Sequence, residues 1–250
     1  MKLLISGEGP SDLGACNNAQ GQCEGDDFNP GPMAVWLARL WQERLHYNLL
    51  ETPGAVVYVS ETALNQRAKH SAAGKRMQPL RGKKQAMETG LYFNNALHLG
   101  LLALELAAQD GTPVMAVLFR DADGTRSAPG QQWQTKWRSM ENGFAAAVFE
   151  GGVPMLPKPK SEAWLLCATQ TGRHSHARLE DISGNDDSPQ SAKAQLDDFF
   201  GNRQSAAQLA DWCSDHPTDW EALRTMPSFE AFFKRFEEVA DTIAPKGRAR

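Results

Sequence analysis

Short apolar runs alternate with longer segments of helical periodicity over roughly the first two-thirds of the chain, and no other feature constrains the fold as much. The runs are K-L-L-I-S (Lys2–Ser6), A-V-V-Y-V (Ala55–Val59), P-V-M-A-V-L-F (Pro113–Phe119) and V-P-M-L-P (Val153–Pro157). Each is short and bounded by turn residues, which predicts strands. Between the first two, Met33–Leu50 places Val35, Leu37, Leu40, Trp41, Leu45 and Leu49 at helical spacing, and the residues before it, up to about Pro32, read as loop. Gln85–Gln109 and Gln131–Phe149 read as further helices. Ser161–Thr169 opens another, with Ser161 as its cap and Glu162 in its first turn. Strands alternating with helices predict an α/β fold built on a mostly parallel sheet. Ligands of such sheets bind at the carboxyl ends of the strands. The residues just past the strands therefore carry the functional question.

From residue 171 the character changes. H-S-H-A-R-L-E-D-I-S-G-N-D-D-S-P-Q is polar and turn-rich. The amphipathic segments Ala192–Phe200, Ala206–Asp215, Asp219–Thr225 and Ser228–Ile243 follow, with no strand. This predicts an α/β domain over 1–170 and a helical C-terminal extension over 171–250 packed on it, ending in a frayed basic tail. No apolar run approaches the roughly 18–20 residues that span a bilayer, so no membrane role is expected, and the N-terminus reads as a strand rather than a signal peptide. A net charge of −4 excludes a strongly basic, histone-like protein. It leaves nucleic-acid binding open, because the clustering of Lys and Arg decides that. Cys16, Cys23, Cys167 and Cys213 form no C-x-x-C pair. Free thiols in a reducing cytosol are expected rather than a zinc site. His174 and His176, in G-R-H-S-H-A-R, are not expected to bind a metal.

Two acidic motifs follow strands. G-E-G-P-S-D (Gly7–Asp12) puts Glu8 on glycine-flanked backbone that turns sharply, with Asp12 four residues on. R-D-A-D-G-T (Arg120–Thr125) puts Asp121 and Asp123 after the third strand. The plain reading of both is turn residues and helix caps. Yet carboxylates crowded on one sheet edge repel one another and lose water, which a hard divalent cation with oxygen ligands offsets. The segment Gly14–Gly31 carries Glu24, Asp26 and Asp27 and reads as a surface loop. From Thr62 to Met87 there is no acid, whereas Arg67, Lys69, Lys75, Arg76, Arg81, Lys83 and Lys84 are basic. Such a stretch beside an acidic edge suits a phosphate backbone. It has no aromatic residue for base stacking, so any binding should be largely independent of sequence.

With these motifs in their order, the chain resembles a TOPRIM domain, the metal-binding module of topoisomerases, primases and overcoming-lysogenisation-defect nucleases. The spacing from Glu8 to Asp12 resembles the nuclease branch. P-K-P-K-S-E-A-W-L-L (Pro157–Leu166) resembles a segment of small TOPRIM-like proteins of bacterial defence and mobile-element genes. The resemblance covers about residues 1–170 and implies a Rossmann-like, mostly parallel sheet flanked by helices. It also implies a nuclease using Mg²⁺ or Mn²⁺, cytoplasmic, acting on DNA ahead of RNA, in anti-phage defence. Asp121 and Asp123 would hold the principal metal, Glu8 would be a ligand or the general base, and Asp12 and Glu162 would complete a second metal position. Lys158 or Lys160 would stabilise charge at the scissile phosphate. The chain has no G-x-x-x-x-G-K-[ST] loop, so an ATPase, if one is needed, is a separate partner.

Two rivals remain. D-A-D-G-T is also the nucleophile motif of haloacid-dehalogenase-like phosphatases, with Asp121 attacking phosphorus, Asp123 donating the proton, and Asp186 and Asp187 as metal ligands. Against it, about 110 residues precede a motif that normally sits on the first strand. The other rival is a TOPRIM-like module that binds nucleic acid or a partner without catalysis.

Overall fold

The structure, a computed structural model, describes residues 1–18, 20–70, 85–122, 129–170 and 176–244. In chain order the elements are β1 (Lys2–Gly7), β2 (Gly14–Cys16), β3 (Gln22–Glu24), β4 (Phe28–Pro30), α1 (Pro32–Leu45), β5 (Val56–Ser60), α2 (Glu61–His70) and α3 (Gln85–Asp110). They continue with β6 (Val114–Phe119), α4 (Pro129–Ala146), β7 (Gly152–Met155), α5 (Ser161–Thr169), α6 (Ala192–Phe200), α7 (Ala206–Asp215), α8 (Trp220–Leu223) and α9 (Pro227–Ile243). No helix among the described residues is long and apolar enough to cross a membrane.

Five strands form one sheet in the order β3-β5-β1-β6-β7. β1 is central and parallel to both neighbours, with Leu3 opposite Val56 on one side and Met115 on the other. β7 continues the parallel set beyond β6, while β3 closes the other edge antiparallel to β5. Every residue of β6 is buried, as a parallel strand covered on both faces requires. Side chains alternate between the faces. Leu3, Ile5, Val56, Tyr58, Met115, Val117, Val153 and Met155 pack with α1, α5 and the C-terminal helices. Leu4, Val57, Val59, Ala116 and Leu118 pack with α2, α3 and α4. The result is a three-layer α/β/α arrangement, consistent with a Rossmann-like fold.

The helices fit their places for local reasons. α1 begins at Pro32, whose fixed φ suits a first helical turn, and ends at His46 in the left-handed region. α9 buries Phe229, Phe232, Phe236, Val239 and Ala240 on one face against β6 and β7. Burying each Phe contributes roughly 2 kcal/mol relative to exposure. α5 is fastened to α9 through the Trp164 indole N–H, which donates to Ser228 Oγ at 2.9 Å. Arg235 of α9 donates to the Gly152 carbonyl at 3.0 Å and the Glu150 carbonyl at 2.6 Å, beside β7. The segments from Ala192 onward are helical and share their core with the sheet.

The chain reverses its direction of travel at β1. β5 follows through α1 on one side of β1, and β6 then lands on the other side after α2 and α3. This makes the carboxyl ends of β1 and β6 a topological switch point, where open sheets bind ligands. Glu8 follows β1 and Asp121 follows β6, at neighbouring ends.

Two expectations need correction, and one helix had no signal in the sequence. Gly14–Gly31 is not a plain surface loop: β2 and β4 pair antiparallel, and β3 joins the main sheet. Gly14 is essential to that pairing, because at φ +105° a Cβ would lie 1.9 Å from the Asn29 carbonyl oxygen. Glu61–His70 is helical although it lacks a regular apolar stripe; Leu64 alone of its described side chains is buried. Finally, Cys16 and Cys23 are joined in a disulfide, so only Cys167 and Cys213 are free thiols, and both are buried.

Candidate functional site at the switch point

The site begins with the turn after β1. Asp12 is held by its backbone: its carbonyl accepts the Met33 N–H at 2.9 Å, and the Leu13 carbonyl accepts the Gly31 N–H at 2.9 Å. Gly31 is required there, because a Cβ would lie 2.4 Å from the Asp12 carbonyl oxygen. The start of α1 thus sets the position of the Asp12 carboxylate. Ser11 Oγ donates to one of its oxygens at 2.8 Å, and Ser161 Oγ donates to the other.

Ser161 links the second acid. Its backbone N–H donates to Asp121 Oδ1 at 2.9 Å. Lys160, rather than Ser161, is the N-cap of α5, and no side chain caps that helix. The hydroxyl expected to cap α5 goes to Asp12 instead. Glu162 follows in the first turn, its Oε2 3.5 Å from Ser161 Oγ. One serine therefore brings Asp12, Asp121 and Glu162 to a common region.

Burial is the main disturbance to all three carboxylates, and neighbouring acids add to it at Asp121 and Glu162. Burial first, then the charges of Asp12, Glu162 and Glu8, raise Asp121 well above the ordinary carboxylate range. Burial raises Asp12 against the opposing help of its serine hydrogen bonds and of Lys160 and Lys193. Burial raises Glu162, with Asp12 and Asp186 adding to it.

Several cations around the site form ion pairs with further acids. Arg120 donates to Glu8 Oε2 at 2.7 Å and Glu61 Oε1 at 2.8 Å, and its guanidinium lies 5.1 Å from the centroid of the Tyr92 ring. Lys158 lies 4.0 Å from Glu180 and 3.7 Å from Asp181. Lys160 and Lys193 reach Asp186 at 2.8 and 3.3 Å. None of these pairs includes Asp12, Asp121 or Glu162.

Glu8 is placed differently from the other acids. One oxygen meets Arg120, and the other accepts the Asp121 backbone N–H at 3.0 Å. It clamps the end of β6 to the end of β1. Tyr92 Oη donates to the Asp121 carbonyl at 3.1 Å, and buried Lys136 donates to the Ala122 carbonyl. Arg120, Glu61, Tyr92, Lys136 and Ser161 thus build the site without having stood out in the sequence. Arg120 was legible only as the residue before Asp121. Glu61 and Tyr92 lie 59 and 29 residues from the partners they serve, Lys136 lies 14 residues from Ala122 outside either motif, and Ser161 looked like an ordinary cap.

Asp123 lies outside the described residues, as do Lys75, Arg76, Arg81, Lys83, Lys84 and His174. Of the expected nucleic-acid contacts, Lys69 is exposed on α2, and Arg67 forms an ion pair with Glu105 of α3. Asp187 donates its backbone N–H to Asn185 Oδ1 at 3.1 Å. Among the described residues, no group of three or more His, Cys, Asp or Glu side chains converges closely enough to hold a metal ion. No protein-family model matches the chain, and no curated protein and no solved structure matches it.

Proposed function

We propose that the protein is a divalent-metal-dependent nuclease of the TOPRIM type, working at the carboxyl ends of β1 and β6. One observation carries this reading: Asp12, Asp121 and Glu162 are gathered around Ser161 at the switch point, where burial raises the pKa of each and the charges of Asp12 and Glu162 raise Asp121 further. Such a set costs stability at neutral pH, and a hard cation offsets that cost. The donor chemistry fits Mg²⁺ or Mn²⁺, since all the acids supply oxygen. As placed, the described acids do not reach ligating distance of a common point. Asp12, Asp121 and Glu162, together with Asp123, would hold the metal. When bound, it would polarise a phosphodiester and lower the pKa of a water.

The chain's own residues do the rest. Glu8 and Arg120 fix the backbone that carries Asp121. Ser161 holds Asp12 and Asp121 in register through two hydrogen bonds. The basic residues between Arg67 and Lys84 would attract the phosphate backbone, with DNA the favoured polymer. A separate ATPase partner, a cytoplasmic location and a defence role belong to the same proposal and rest on the motif resemblance; the Cys16–Cys23 disulfide weighs against the cytoplasmic location.

The test is cleavage of supercoiled plasmid, single-stranded DNA and RNA with Mg²⁺ or Mn²⁺, by wild type, Asp121→Asn and Glu162→Gln. Metal-dependent cleavage lost in both variants is expected. Turnover of a small phosphomonoester instead would move the assignment to the phosphatase. Silence on every substrate, with no metal bound in a titration, would leave a binding module.

A further inference from the structure

A cavity shares a wall with the acidic site. It holds about 170 Å³ between α5, α6 and the start of α7. Asp12, Ser161 and Glu162 form the shared wall. Pro32, Leu165, Leu196 and Leu209 supply apolar surface, Lys193 and Arg203 supply positive charge, and Asp197 adds a third acid to Asp12 and Glu162. The volume excludes a drug-sized ligand, whose pockets run from about 300 Å³ upward. It matches the roughly 150 Å³ cavity that accepts one benzene ring. Its walls differ from such an apolar cavity in carrying cations of two kinds. Lys193, which reaches Asp186 at 3.3 Å, also acts electrostatically on Asp12, so it stands near the acids. Arg203 is exposed in the turn between α6 and α7, next to Gln204, which also lines the cavity.

A flat ring against leucines, with a phosphate within reach of Lys and Arg, describes a nucleotide, and one ring describes a pyrimidine. We propose that this cavity binds one pyrimidine nucleotide of the substrate strand, with the base between Leu165, Leu196 and Leu209 and a phosphate at Arg203 and Lys193. This rests on the nuclease reading and extends it: a base seated here leaves the adjoining backbone beside Asp12 and Glu162. The enzyme would then favour single-stranded or frayed substrate, because a paired base cannot enter. Leucine contacts and an exposed arginine give a ring preference, without the hydrogen-bond readout of a sequence-specific reader.

Calorimetric titration of the whole protein tests this. The probes are 5′-CMP, 5′-UMP, 5′-AMP and ribose 5-phosphate, in EDTA, so that the result does not depend on metal or cleavage. Wild type should bind CMP and UMP more tightly than AMP, and ribose 5-phosphate least. Arg203→Ala, an exposed change, should weaken CMP about tenfold. Leu209→Trp, at a half-buried position, should fill the cavity and abolish CMP binding with the fold checked by circular dichroism. Three outcomes would overturn the proposal: no CMP binding to folded wild type, ribose 5-phosphate binding as tightly as CMP, or CMP binding unchanged in both variants. Plasmid cleavage without CMP binding overturns the cavity assignment alone. CMP binding without cleavage of any substrate overturns the nuclease reading alone.

Discussion

The Ser161 backbone N–H meets Asp121 Oδ1 at 2.9 Å, joining the start of α5 to the end of β6. An asparagine at position 121 keeps that acceptor and removes the charge. Because Asp121 is raised by burial and by its acidic neighbours, Asp121→Asn should stabilise the metal-free protein by on the order of 1 kcal/mol, about 2–4 °C in Tm. The same variant should lose the Tm increase that Mg²⁺ gives wild type. Thermal melts with EDTA and with Mg²⁺ check both halves, and a destabilised Asp121→Asn in EDTA would count against the charge argument.

The pH dependence follows from the direction of the shifts. Asp12, Asp121 and Glu162 are all raised in the folded state. A group raised above its unfolded value contributes stability that is fully present below the unfolded value, about pH 4 for carboxylates. That contribution is lost as pH rises through the folded value. Metal-free wild type should therefore lose stability relative to an Asp12→Asn, Asp121→Asn, Glu162→Gln triple variant as pH rises from about 4 to 7. Urea unfolding across that range measures the gap, and a gap that closes with rising pH would reject the assignment.

Arg120 is the opposite case, a cation whose removal strands its partners. Its side chain is 8% exposed, and it serves Glu8 and Glu61, themselves 30% and 26% exposed. Arg120→Met should cost about 3 kcal/mol. Arg120→Lys should recover only part of this, because one ammonium cannot reproduce a planar fork to two carboxylates. Denaturant titration of the three proteins gives the order, and a loss under about 1 kcal/mol for Arg120→Met would show that water compensates both acids.

The Cys16–Cys23 bridge makes a chemical prediction. Unfolded without reductant, the protein should label at Cys167 and Cys213 only; with reductant, at all four. Closing so short a loop should add about 2 kcal/mol of stability, lost on reduction or in Cys16→Ser. Since disulfides persist in oxidising surroundings, four labelled thiols in protein taken from cells without reductant would return the pair to the reduced state expected of a cytosolic chain.

The sequence made the parallel strands legible because strands buried on both faces are nearly all apolar, as in V-M-A-V-L-F. The strand-end rule then pointed at Glu8 and Asp121, which the sheet does bring to neighbouring ends. β2, β3 and β4 were hidden: each has three residues, and G-A-C, Q-C-E and F-N-P carry turn-forming or polar types. α2 was hidden because its stability comes from one buried leucine and from packing on α3 rather than from periodicity. Lys158 and Lys160 looked poised for phosphate because their acidic partners, Glu180, Asp181 and Asp186, lie more than 20 residues further on. Spacing within P-K-P-K-S-E carries no trace of such pairs.

The two margins of the sheet have a consequence for how the molecule behaves in company. At one, three-residue β3 runs against β5 and is pinned by Cys23. At the other, β7 contains Pro154, which has no N–H to offer, and Arg235 already occupies the Gly152 carbonyl. A neighbouring chain seeking to add a strand would find a short ledge on one side and a blunted one on the other. The parallel core can thus stay rich in valine and leucine without templating aggregation. Arg235→Ala should expose that weakness first, as a rise in concentration-dependent light scattering at temperatures where the fold is still intact.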